Sequence, residues 1–294
     1  MAVTELDIQS RQPFAQSKSF GSVGPYEQLD GIVRFAVDPD DPANSTVTDL
    51  KLAPRNVQGL VEFSSDFRIV LPVDGTKGSH RLVFDILNRG RGPILKNMNY
   101  AQDLPADQPL DSGDGFLMRQ GYTVAWCGWQ CDAPDIPGVL RLYSPEAQNP
   151  DGSPITGQLT VTFQPNANIQ QQFLSDRNHR PYPSNNLKDQ AAYLTVQEHE
   201  DGAEEIIPRE QWSFARLENG KAVPDANYAY KESGFEAGKV YQLIYSTTGA
   251  PIVGLGLLAT RDLGSFLKYG SAQQGNPCAG DLEYAFSFGS SQSG

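Results

Sequence analysis

The sequence predicts an α/β chain interrupted by a β-rich segment, and three observations predict it. A short apolar run, Leu82–Leu87, ends in a glycine-rich loop and leads through a helical stretch to a second apolar run, Tyr122–Trp126. The same rhythm returns in Val240–Tyr245, Ile252–Tyr269 and Tyr284–Phe288. Strand, loop, helix, strand is the pattern of a sheet with parallel strands. Between the two stretches the chain turns polar and turn-rich, and roughly a hundred residues of this kind exceed any ordinary loop.

Residues 1–80 read as an N-terminal β-rich extension. Gly31–Val37 alternates Val33, Phe35 and Val37 with Arg34 and Ala36, and the run Asp38-Pro-Asp-Asp-Pro-Ala-Asn44 breaks it with turn formers. In Leu60–Val73 the odd positions carry Val61, Phe63, Ser65, Phe67, Ile69, Leu71 and Val73, while Glu62, Ser64, Asp66 and Arg68 fill even ones. That period of two marks a strand with one buried and one wet face. Gly75–Ser79 is a turn.

Residues 81–130 read as the first part of the α/β core. Leu82–Leu87 suits a strand covered on both faces. Asn88-Arg-Gly-Arg-Gly92 is the loop that leaves it, and Asp114–Gln120 suits a short helix. Residues 131–238 read as a β-rich insertion, with Leu159, Val161 and Phe163 alternating in Gln158–Gln164, a strand at Tyr193–Gln197, and Trp212–Leu217 followed by the hairpin-turn pair Asn219-Gly220. Residues 239–294 continue the core. In Ile252–Tyr269 the residues Leu255, Leu258, Ala259, Leu263, Phe266 and Leu267 share one helical face, and Gly270 can close the helix.

Composition narrows the function. The 294 residues carry a formal net charge of −12 and a sequence pI near 4.7, which disfavours a phosphate backbone as partner. No run approaches the roughly 18 apolar residues of a membrane helix. The first residues lack the basic and apolar regions of a secretory signal, so the expectation is a cytoplasmic protein or one that has lost a leader. Three cysteines, Cys127, Cys131 and Cys278, are too few for a disulfide framework and read as buried thiols, with a Cys131–Cys278 bridge as the other option. His80, His179 and His199 form no ligand-like cluster and read as surface residues, so a structural zinc site is not expected. No metal or organic cofactor is implied.

The closing residues carry the chemistry. An apolar strand followed by Gly-x-Ser-x-small is the nucleophile elbow of α/β-hydrolases. The serine sits on a sharp turn, its neighbours two residues away must be small, and the next N–H points at the developing oxyanion. Gly289, Ser291 and Ser293 take these places, with Gln292 supplying the N–H. The same residues also suit a Gly/Ser-rich tail; the strand before them favours the elbow. The oxyanion loop would be 88–92, through Arg89 and Gly90, and Trp129 and Gln130 are candidates to line the pocket. The fingerprint-like Gly254-Leu-Gly256-Leu-Leu-Ala259 lacks a tight strand-to-glycine turn and reads as close helix packing rather than dinucleotide binding.

These features together resemble the N-terminal part of a bacterial α/β-hydrolase-domain family of large serine esterases. The resemblance rests on Phe20-Gly-Ser-Val-Gly-Pro-Tyr-Glu27, Val37-Asp-Pro-Asp-Asp-Pro-Ala-Asn44, Leu52-Ala-Pro-Arg-Asn56 with Gly59-Leu-Val-Glu-Phe63, Asn88-Arg-Gly90, Gly121-Tyr-Thr-Val124 with Gly128-Trp-Gln130, Arg261-Asp-Leu263, and an elbow similar to the family's Gly-x-Ser-Gln-Ser-Gly. It implies an α/β-hydrolase fold truncated after the elbow, Ser291 as nucleophile, a small-molecule ester as substrate, and a continuation carrying the triad acid and histidine. The chain as given is then expected to be an inactive fragment with apolar surface exposed beside its last strand. The alternative is a non-catalytic carbohydrate- or lipid-binding module.

Overall fold

The computed structural model describes residues 2–294. In chain order the elements are β1 (Val3–Pro13), β2 (Tyr26–Val37), β3 (Val61–Pro72), β4 (Arg81–Asp85), α1 (Ile94–Asn99), α2 (Phe116–Arg119), β5 (Thr123–Cys127), β6 (Leu142–Tyr143), β7 (Thr156–Phe163), β8 (Ile169–Phe173), β9 (Tyr193–Gln197), β10 (Glu205–Ile207), β11 (Trp212–Glu218), β12 (Lys221–Phe235), β13 (Val240–Thr248), α3 (Leu255–Tyr269) and β14 (Tyr284–Phe288). They fold as two compact units, residues 1–145 with 251–294, and residues 146–250.

The first unit is built on one mixed sheet in the order β1-β2-β3-β5-β4-β14, with β6 pairing β3. Strands β1, β2, β3 and β5 pair antiparallel in succession, and among the described residues only β5, β4 and β14 run parallel. The long strand expected at 60–73 is present as β3, with Val61, Phe63, Ser65, Phe67 and Ile69 buried on one face. β14 forms the sheet edge, and Tyr284 and Phe286 on it are half exposed, 56% and 50%.

This architecture overturns the expected α/β-hydrolase fold. Strands hold 38% of the residues, and there are only three α-helices among the described residues. The misreading has a physical source. Apolar runs reveal strands but neither their direction nor their partners, and the run Val240–Tyr245 pairs with β7 and β9 instead of joining the sheet of β4 and β5. The crossover from β4 to β5 carries a six-residue helix and a single-turn helix, joined by loop. Helix α1 is followed by Tyr100 in the left-handed region, and α2 is preceded by Gly113 and Gly115 there too. Helix α3 is the long helix that sequence periodicity indicated, beginning at Leu255 and not at Ile252, and it buries the expected face: Leu255, Leu258, Ala259, Leu263, Phe266 and Leu267.

The second unit consists of two antiparallel sheets, β10-β9-β13-β7 and β11-β12-β8. They share one aromatic core that includes Phe163, Trp212, Phe214, Phe235, Tyr241 and Tyr245. Asn219 and Gly220 close the β11–β12 hairpin with φ of 51° and 76°, the two positive values a tight right-twisted hairpin turn requires. β13, at Val240–Thr248, pairs with β7 and β9 and so belongs to this unit's sheet.

Candidate active site

The site is built where the parallel strands β4 and β14 end. Phe288 pairs with Asp85, and the Ile86 N–H donates to the Phe288 carbonyl at 2.8 Å, so both chains leave the sheet side by side. From β14 the chain passes Gly289 and turns sharply at Ser291, a non-glycine residue at φ 60°. A Cβ on Gly289 would lie 1.9 Å from the Ser293 carbonyl oxygen, so only glycine allows this turn to close. The left-handed backbone at Ser291 costs on the order of 1–2 kcal/mol. The Ser291 side chain is exposed, and its hydroxyl makes no hydrogen bond among the described residues.

From β4 the chain passes Ile86 and Leu87 into the 88–92 loop. Asn88 and Arg91 exchange backbone hydrogen bonds of 2.8 and 3.1 Å around Arg89 and Gly90, whose φ values are 51° and 76°. Gly90 is required here, because a Cβ would approach Val139 Cγ1 to 2.4 Å.

The two turns are tied together. Asn88 Nδ2 donates to the Ser290 carbonyl at 3.0 Å. Ser293 Oγ donates to the Leu87 carbonyl at 2.7 Å, and Trp129 Nε1 donates to the same oxygen at 2.6 Å. Ser293, where the general elbow pattern has glycine, thus clasps the elbow to the neighbouring loop. The sequence-predicted residues Ser291, Gln292, Arg89, Gly90, Trp129 and Gln130 all lie on these segments or on the one that braces them. Their roles differ, however. The Arg89 N–H is committed to Gln130 Oε1 at 2.9 Å, whereas the N–H groups of Gly90 and Gln292 have no acceptor among the described residues. Gln130 and Trp129 act as braces: Gln130 is 7% exposed, and both side chains hold loop backbone.

Asp85 is the residue sequence reasoning missed. It is completely buried at the end of β4. Its Oδ2 accepts from the Ile94 N–H at 3.0 Å and from Trp126 Nε1 at 2.7 Å, while Oδ1 is buried with no partner among the described residues. Burial pushes its carboxyl up to about 7, against the opposing pull of those two donors. Gly92 passes over this pair, since a Cβ there would lie 2.0 Å from Trp126 Nε1. Asp85 therefore fastens β4, β5 and the start of α1 beneath the loop. The signal for it was present: it is the one charge inside the apolar run Leu82–Leu87.

The histidines lie elsewhere. His80 Nδ1 is 2.7 Å from Asp281 Oδ1, at the opposite ends of β4 and β14, and His179 and His199 belong to the second unit. The Asp281 carboxylate, through its hydrogen bond and charge, raises the His80 pKa. Cys127 and Cys278 are free thiols, so no Cys131–Cys278 bridge forms; burial pushes both thiols up to about 12. Among the described residues no group of three or more His, Cys, Asp or Glu is placed to hold a metal ion. No helix among them is long and apolar enough to cross a membrane.

Comparison with family models, with curated proteins and with solved structures returned no match for this chain.

Proposed function

We propose that the turn at 289–294 and the loop at 88–92 are the nucleophile and oxyanion-binding parts of a serine carboxylic-ester hydrolase. The observation that carries this is the left-handed backbone of Ser291, held at the end of a parallel strand with its hydroxyl uncommitted. Strain of this kind persists only where its surroundings impose it. Here Gly289, Ser293 and Asn88 impose it.

In the proposed reaction Ser291 Oγ attacks the ester carbonyl carbon, and the carbonyl electron pair moves onto oxygen. The N–H groups of Gln292 and Gly90 stabilise that oxyanion. Collapse expels the alcohol, which takes up the serine proton through a base, and leaves an acyl-serine that water hydrolyses to the free acid. Arg89, with its N–H engaged by Gln130, positions the loop instead of donating to the oxyanion. No general base is assigned to this chain.

The test therefore supplies one. Hydrolysis of p-nitrophenyl acetate is followed with and without added imidazole, for the chain and for Ser291→Ala. Without imidazole, turnover is expected to fall several orders of magnitude below that of a full triad. With imidazole, cleavage is expected to exceed that of Ser291→Ala, with an acetyl group on the peptide carrying Ser291. Equal imidazole-dependent rates in the two proteins, with no acetylation at Ser291, would refute the proposal.

A further inference from the structure

The 88–92 loop has a second side. A cavity of about 260 Å³ opens there, between the loop and the 101–111 segment. Its apolar wall comes from Leu87, Leu95, Leu110, Leu140 and the Trp126 ring. Ser291 is not among its lining residues.

The charges around it are unequal. Lys96 pairs with Asp103 at 2.8 Å, and Arg68 with Asp30 at 2.5 Å. Asp111 accepts from the backbone N–H groups of Gln102 and Gly113. Arg91 also lines the cavity, and its guanidinium has neither an ion pair nor a side-chain hydrogen bond among the described residues. Arg91 is exposed, so its guanidinium is open to an incoming anion. A guanidinium presents a fork of N–H donors that matches a carboxylate.

We infer that this cavity binds a small amphipathic carboxylate, its hydrocarbon tail on the leucine and tryptophan wall and its carboxylate on Arg91. The volume lies just below the roughly 300–1,000 Å³ of drug-sized ligand pockets, which calls for a ligand smaller than those. An eight-carbon fatty acid meets both conditions. The inference does not depend on the ester-hydrolase proposal, because it requires nothing of Ser291.

The experiment keeps the two apart by using the Ser291→Ala chain. Sodium octanoate and 1-octanol are titrated into it by calorimetry, alongside Arg91→Gln and Leu104→Trp in the same background. Leu104 lines the cavity and is 38% exposed, so an indole can occupy the cavity from its rim without disturbing the core. Octanoate is expected to bind one to one, at least tenfold more tightly than octanol. Arg91→Gln should weaken octanoate at least tenfold and leave octanol unchanged, and Leu104→Trp should weaken both. Absence of octanoate binding at millimolar concentration overturns the inference. So does equal affinity for the two ligands, or an octanoate affinity indifferent to Arg91→Gln or to Leu104→Trp.

Discussion

Replacing Asp85 by asparagine tests how the loop is anchored. Asp85 is fully buried among Trp126, Gly92 and the start of α1, and no cation among the described residues acts on it. Burial raises its pKa from 3.8 to about 7. A group whose folded pKa lies above its unfolded one contributes its full stability below the unfolded value and loses it as pH rises through the folded value. The whole loss between pH 3.8 and 7 is on the order of 4 kcal/mol, at about 1.4 kcal/mol per pKa unit. Roughly 3 kcal/mol of that falls between pH 5 and pH 8. Asparagine keeps the shape. Its amide oxygen can accept from Ile94 and Trp126 as Oδ2 does, and its NH₂ takes the place of Oδ1, which has no partner. That unpaired NH₂ costs about 1–3 kcal/mol, but equally at every pH. The difference between the two proteins should therefore shift by roughly 3 kcal/mol in favour of Asp85→Asn from pH 5 to pH 8. Urea unfolding at both pH values, followed by tryptophan fluorescence, measures it, and every other titrating group cancels in the comparison. A shift below about 1 kcal/mol would show that water or a rearranged loop solvates the carboxylate, and the anchoring argument would fall.

Two further outcomes are expected. The His80–Asp281 contact raises the histidine's pKa above 6.5, so the pair stabilises the fold below that value and its contribution is lost as pH rises through the raised one. Asp281→Asn should lower the His80 titration midpoint seen by NMR, and its stability deficit should shrink with rising pH; an unchanged midpoint would refute the pairing. Within helix α3 two glycines should behave oppositely. Gly256→Ala would put a methyl 1.8 Å from the Trp129 carbonyl oxygen, and since backbone cannot step aside the helix must shift, at a cost of about 3 kcal/mol or more. Gly264→Ala meets nothing nearer than Phe84 Cδ2 at 3.8 Å and should stabilise the helix by about 0.5–1 kcal/mol. Thermal melts of both variants decide it, and equal effects would mean that Gly256 does not set the approach of α3 to the 127–130 segment.

These contrasts show why parts of the molecule could be read from the residues and parts could not. Alternation in Val61–Ile69 exposes a strand because burial on one face imposes a period of two on side chains, whatever the strand pairs with. The same alternation is blind to direction, so it could not separate the antiparallel ladder of β1, β2 and β3 from the parallel trio β5, β4 and β14. β1 escaped notice for a related reason: much of it is polar, and it is specified by pairing with β2 along its length rather than by an apolar face. At the site, the turn chemistry was local and legible. Gly289, Ser291 and Gly90 each betray a backbone that few residue types allow, as the Asn219-Gly220 hairpin does in the second unit. What binds the turns to one another was not local. Ser293 and Trp129 converge on the Leu87 carbonyl from chain positions 206 and 42 residues away, and Gln130 takes the Arg89 N–H that sequence reasoning had given to the oxyanion. A hydrogen bond to a backbone carbonyl leaves no periodic trace, because any donor brought there by the fold will serve. The more informative signal is a residue that contradicts its surroundings. Asp85 in an apolar strand marks a buried polar group, and Ser293 where glycine would suffice a half-buried one, and each must be answered from elsewhere in the chain.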